Sequence, residues 1–119
     1  MKTETEPKWE ERPWGRYMTV SEGDGFKVKV IEVAPGMRLS YQSHDHRDER
    51  WVIIDGSALT TIDDVVIKGK RGDIVIIERN QKHRVWNNGN DILKFVEVQM
   101  GDYLEEDDIV RYEDDFGRS

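Results

Sequence analysis

The sequence predicts an all-β fold, a sandwich or barrel built from many short strands. Three observations carry that expectation. Apolar residues alternate with charged ones at period two, turn residues interrupt the pattern about every ten positions, and no stretch sustains a helical period. Near the start, Pro13 and Gly15 make a bend and Trp14 anchors an N-terminal strand to the barrel. Phe26-Lys27-Val28-Lys29-Val30 alternates like a half-buried strand, runs on to Val33 and stops at Pro35-Gly36. Trp51 to Ile54 is a second β-rich run, ended by Asp55-Gly56. Ala58 to Ile62 follows, and Asp63-Asp64 reads as a hairpin turn into Val65-Val66-Ile67. Gly69 and Gly72 bracket a turn before the strand Asp73 to Ile77. Arg84-Val85-Trp86 is another strand, Asn87 to Asp91 a turn, and Ile92 to Met100 alternates again. The acidic tail from Asp102 to Ser119 has apolar points at Ile109, Val110, Tyr112 and Phe116, suited to a short helix or a packed strand.

A chain of 119 residues suits one domain, taken here as residues 1–119 with no internal repeat or linker. Apolar and charged residues each make up 36%, which implies a compact core under a densely charged surface. A net charge of −7 excludes nucleic acid as the main partner, because a phosphate backbone needs a basic face. A few local Arg or Lys residues can still bind a small phosphorylated ligand. With no cysteine, disulfides and thiolate metal sites are excluded. The apolar runs Trp51–Ile54 and Ile74–Ile77 are too short to span a bilayer, so no membrane contact is expected. Met1 to Glu6 lacks the apolar stretch of a signal peptide, which makes the cytoplasm the expected location, and the first eight residues read as solvated.

The chain has three histidines, His44, His46 and His83. Residues two apart on a strand share a face, so His44 and His46 can chelate one ion. Glu49 follows three positions later, where a slight backbone irregularity brings its carboxylate to the same ion. His83 comes from a separate hairpin, and closure of a barrel supplies it as the fourth ligand. Imidazole and carboxylate donors suit one divalent ion from among Zn, Mn, Fe, Ni and Co. Such a set leaves one or two coordination positions open.

The order Gly36, His44-Asp45-His46, Glu49, Gly56, then Gly72, His83, Asn87 closely resembles the two cupin motifs. That resemblance implies a jelly-roll barrel, the double-stranded β-helix. The second motif usually has Pro and Gly where this chain has Glu78 and Asn80, and Asn tolerates the left-handed turn.

A closer resemblance covers about residues 9 to 118. Arg12-Pro13-Trp14-Gly15-Arg16-Tyr17, the run from Gln42 to Trp51 and His83-Arg84-Val85-Trp86-Asn87 are similar to segments of type II mannose-6-phosphate isomerase domains. So are the runs from Glu97 to Leu104 and from Glu106 to Asp114. Many members carry this domain behind a sugar-1-phosphate guanylyltransferase, and the residue before Trp51, often His among them, is Arg50 here.

The resemblance implies an aldose-ketose isomerase that interconverts mannose 6-phosphate and fructose 6-phosphate. Such chemistry needs a Lewis acid, a base and a cationic clamp for phosphate. The clamp candidates are Arg47, Arg84 and Arg111, because guanidinium matches phosphate in a bidentate fashion. Arg111 is the leading choice, and it is taken with Gln42 as catalytic. Lys29 is a further candidate near the ion or the sugar. Glu97 and Glu113 are candidates for the base by position, and Trp14, Trp51 and Trp86 for lining the barrel. The alternatives are a non-catalytic sugar-binding module and a metal-dependent oxygenase. Cupins often pair through barrel edges, so a homodimer is expected, with the Arg12–Tyr17 arm and the tail as its contacts.

Overall fold

A computed structural model describes residues 8–118. The expectations for the N-terminal six residues therefore lie outside the described residues. The described residues form eleven strands and no helix. In order they are β1 (Glu10–Arg12), β2 (Gly15–Gly23), β3 (Phe26–Val33), β4 (Tyr41–Ser43), β5 (Arg47–Asp55), β6 (Ala58–Ile62), β7 (Val65–Gly69), β8 (Ile74–Ile77), β9 (His83–Trp86), β10 (Leu93–Gly101) and β11 (Val110–Glu113). One sheet has the order β1-β2-β3-β10-β5-β8, and the other has β11-β4-β9-β6-β7. Every strand pair is antiparallel. Among the described residues no helix is long and apolar enough to cross a membrane.

The expected turns form, and their backbone angles show why. Asp63 and Asp64 have φ of 46° and 70°, the left-handed pair that a two-residue hairpin requires. Asn80 has φ of 68°, so it takes the conformation expected of an Asn in a glycine's place. Gly15 sits where β2 crosses β3 so closely that a Cβ would overlap the Glu32 carbonyl oxygen. The tail resolves into a strand, β11, which pairs with β4 and extends the smaller sheet. β5 begins at Arg47 rather than Trp51, which puts Glu49 on the strand itself.

The register divides the interior along the strand axis. Leu93, Phe95, Glu97 and Gln99 of β10 all face inward. Opposite them on β3 stand Val33, Ile31, Lys29 and Lys27. On the other side Phe95 meets Ile53, Glu97 meets Trp51, Gln99 meets Glu49, and Gly101 meets Arg47. One half is thus an apolar core of Trp14, Tyr17, Ile31, Val33, Trp51, Ile53, Leu93 and Phe95. The other half is polar yet buried. Trp51 closes the boundary, its ring 4.7 Å from Phe95 and 6.0 Å from the His83 imidazole. Trp86, expected inside, is 40% exposed on the outside of the barrel, because β9 turns His83 and Val85 inward and its alternate residue outward.

Asn87 ties the apolar end together. It is fully buried, donates to the carbonyls of Val33 (2.9 Å) and Asp91 (2.8 Å), and accepts from the Gly89 N–H (3.0 Å). Asn87→Ala leaves those groups without partners and is expected to lower stability by about 1–3 kcal/mol in urea unfolding. A loss within experimental error would show that water replaces the amide.

Candidate metal centre

Three predicted ligands converge. His44, Glu49 and His83 are all buried, and one donor atom from each lies within 4.8 Å of the others. They come from the end of β4, the inward face of β5 and the start of β9. Both sheets therefore contribute, and the cluster exists only once the barrel closes.

The two imidazoles are held in a definite tautomer. His44 Nδ1 lies 2.6 Å from the Asp108 carbonyl oxygen, and His83 Nδ1 lies 3.0 Å from the Gln81 carbonyl oxygen. A carbonyl only accepts, so both Nδ1 atoms carry the proton and both Nε2 atoms present a lone pair. Burial, aided by the charges of Arg47 and His83, brings the His44 pKa down to about 4 against the pull of Glu49. A neutral imidazole is what a cation requires of a ligand.

Glu49 is the centre of the group. Burial pushes its pKa up, but Arg47, His83, His44 and a hydrogen bond from Glu97 outweigh burial and hold it below the usual carboxylate range. One carboxylate oxygen accepts from Trp51 Nε1 at 2.9 Å, and the other accepts from Arg47 Nε at 2.8 Å. Burial and the Glu49 charge push Glu97 well above its ordinary value, so Glu97 keeps its proton and donates it to Glu49. Gln99 Nε2 donates to the other side of Glu97 at 3.0 Å.

His46, the expected fourth ligand, stands apart. It is exposed and packs edge-on against Tyr103, with ring centroids 5.6 Å apart. Residues 44 to 46 form a bend rather than a strand, so the same-face rule does not hold there. The bend is fixed by Asp108, whose carboxylate accepts from the N–H groups of Asp45 (2.9 Å) and His46 (3.0 Å). Gly101 permits it, since a Cβ there would overlap the His46 carbonyl oxygen.

The other predicted residues divide. Gln42 and Arg111 are register partners, and both line the cavity that holds the three ligands. Arg47 lines it too, but its guanidinium is spent on Glu49 and on His44 Nε2 (3.1 Å). Arg84 is buried and anchored to the Leu39 carbonyl oxygen (2.9 Å) and the Glu113 carboxylate (3.3 Å), which pins the tail to β9. Lys29, buried on β3, pairs with Glu106 at 2.6 Å and lies over the Tyr17 ring. The sequence reading did not foresee Asp108, whose position in a loop carries no periodic signal. It named Glu97 by position alone, although alternation with Leu93 and Phe95 on β10 points that residue inward. The cavity measures about 110 Å³, room for several waters.

An antiparallel barrel of two sheets with a histidine-carboxylate cluster between them defines a cupin, a double-stranded β-helix. A Klebsiella pneumoniae protein described as having a double-stranded β-helix domain superposes with a TM-score of 0.72, at 24% identity over 95% of this chain and 84% of its own. The chain belongs to the mannose-6-phosphate isomerase C-terminal family, which matches residues 2–114. The mannose-1-phosphate guanylyltransferase of Escherichia coli K12 is 44% identical over 108 residues, 90% of this chain and 22% of that protein. The alginate biosynthesis protein AlgA of Pseudomonas aeruginosa is 45% identical over 108 residues, 91% of this chain and 22% of its own length.

The chain thus spans under a quarter of these relatives. That corrects the expectation of a metal-dependent isomerase that interconverts mannose 6-phosphate and fructose 6-phosphate. The relatives are named for guanylyl transfer and alginate biosynthesis, and the matched portion is a small part of each.

The geometry predicts three ligands rather than four. His83→Ala and His44→Ala are expected to weaken divalent-ion binding by at least about 100-fold, the upper end of what supporting residues alone contribute. His46→Ala should change it less than about threefold on the same scale. Competition titration against a chelator reads both, and equal losses from His46→Ala and His83→Ala would restore the four-ligand arrangement.

Proposed function

We propose that this domain binds one divalent metal ion on His44, Glu49 and His83 and takes a phosphorylated sugar in the same cavity. One observation carries the reading. In a chain of net charge −7, one cavity is lined by the ligand triad and by six cations, Arg12, Lys29, Arg47, Arg84, Arg111 and Arg118, against two further carboxylates, Glu97 and Glu106. Cations gathered against the global charge suit an anionic ligand.

The donor set fits a borderline ion such as Zn, Mn, Fe, Ni or Co. Two imidazoles present Nε2 lone pairs, that of His44 accepting from Arg47, and one carboxylate is held ionised. A bound ion would polarise a ligand oxygen as a Lewis acid. The chain's own residues do the rest. The Asp108 and Gln81 carbonyls fix the rings, as outer partners do in metal sites generally. Trp51 and Phe95 keep water from the apolar side. Arg111 and Gln42, side by side on β11 and β4, offer donors to phosphate and hydroxyl oxygens. The family name and the guanylyltransferase relative both point to a phosphorylated mannose as the ligand to test.

Titration calorimetry of metal-loaded protein should show mannose 6-phosphate binding about 10- to 100-fold tighter than mannose, the scale of one or two charge-assisted hydrogen bonds. Arg111→Ala should remove most of that preference while leaving the metal content unchanged. Equal affinity for the two sugars, or binding of neither, would overturn the proposal.

A further inference from the structure

The cations that line the cavity differ in how they are held. Arg47 is bound to the buried Glu49, and Arg84 to the Leu39 carbonyl oxygen and Glu113. Arg118 grips both carboxylate oxygens of Asp114, at 2.9 and 3.1 Å. Lys29 is different. Its ammonium lies 2.6 Å from a carboxylate oxygen of Glu106, its one hydrogen-bond partner among the described residues.

The two members of that pair are unequally placed. The Lys29 side chain is 5% exposed and the Glu106 side chain 55%, and both line the cavity. Among the described carboxylates paired with a cavity cation, Glu106 alone both lines the cavity and reaches solvent. A buried ammonium needs an anion beside it, and this one takes its anion from the loop between β10 and β11.

Glu106 sits in a positive field. Partial burial pushes its pKa up, but the charges of Lys29, Arg47 and Lys27 outweigh burial and hold it below the ordinary value. A position that favours a carboxylate this way suits a phosphate, which brings more charge and three acceptor oxygens.

The loop keeps its place without the pair. Lys27 Nζ donates to the Leu104 carbonyl oxygen at 2.9 Å, and the Asp108 carboxylate accepts from the Asp45 and His46 N–H groups. These contacts flank Glu106 on both sides, so its side chain can leave Lys29 while the backbone stays.

We propose that Lys29 is an anion-binding residue of the cavity and that Glu106 holds its place until an incoming phosphate displaces it. The inference rests on the reading of this cavity as a phosphosugar site. Displacement leaves Lys29 paired and returns a half-exposed carboxylate to water, at small cost. A neutral sugar cannot make the exchange, because it would leave a buried ammonium without an anion. Glu106 thus screens ligands by charge, across the cavity from Arg111 and Gln42 on the other sheet.

Titration calorimetry on metal-loaded protein compares the unaltered chain with Glu106→Gln, which keeps the shape and removes the charge. Glu106→Gln should bind inorganic phosphate and mannose 6-phosphate about 10-fold tighter, since no charged competitor remains. Adding Lys29→Met to Glu106→Gln should abolish that gain, with circular dichroism establishing that both variants are folded. Unchanged or weaker binding by Glu106→Gln would overturn the proposal, as would a gain that survives Lys29→Met. A gain for inorganic phosphate in a chain that prefers mannose 6-phosphate no more than mannose would support these roles and sink the sugar reading alone. Unchanged binding by Glu106→Gln, in a chain that does prefer mannose 6-phosphate, would do the reverse.

Discussion

The structure depends on keeping one carboxylate ionised inside a barrel. Glu49 is 1% exposed, and an isolated charge there would cost many kcal/mol. Three donors answer that cost. Trp51 and Arg47 donate to its two oxygens and Glu97 lends its proton, while the imidazoles of His44 and His83 turn lone pairs toward it. Glu97 must remain neutral for this to work, and burial, reinforced by the charge of Glu49, pushes its pKa well above the ordinary value. The same electron-rich centre that is costly to bury has the donor types that suit a cation.

That requirement explains the division of the interior. The apolar half, from Trp14 and Val33 to Phe95, supplies most of the hydrophobic stabilisation. The polar half is tolerated because most of its groups pair with one another, although the buried Gln99 Oε1 accepts no hydrogen bond. The tail belongs to this second half. Asp108 orients His44 through its carbonyl and shapes the 44–46 bend through its carboxylate, while Arg84 and Arg38 hold Glu113 and Asp115. Without the tail the His44 ring would lose the carbonyl that orients it, whereas His83 would keep that of Gln81.

Much of this was legible in the residues. Alternation at 26–33 and 92–100 located β3 and β10. The Asp63-Asp64 and Asn80 turns followed from the conformations those residues accept. Three of four proposed ligands met because strand alternation and barrel closure act on them as expected. His46 did not, since period two holds only within a strand and the chain bends at that point. Trp86 was a candidate for lining the barrel, whereas its parity against His83 and Val85 turns it outward. The N-terminal strand anchored by Trp14 was expected without bounds and is two strands, β1 and β2, while β4 was missed. β1 and β4 have three residues each, too few to show a period, and the alternation of β2 is broken by a bulge between Thr19 and Ser21.

The sequence by itself determined the β architecture, the turns and the kinds of donor available, because those follow from neighbours a few residues apart. Only the tertiary structure decided which donors meet, which tautomer each ring holds and which arginines are already engaged. Those outcomes rest on contacts between residues tens of positions apart, such as His44 with Asp108, and Glu49 with His83. No local pattern encodes such distances, and the closing of two sheets around one buried charge sets them.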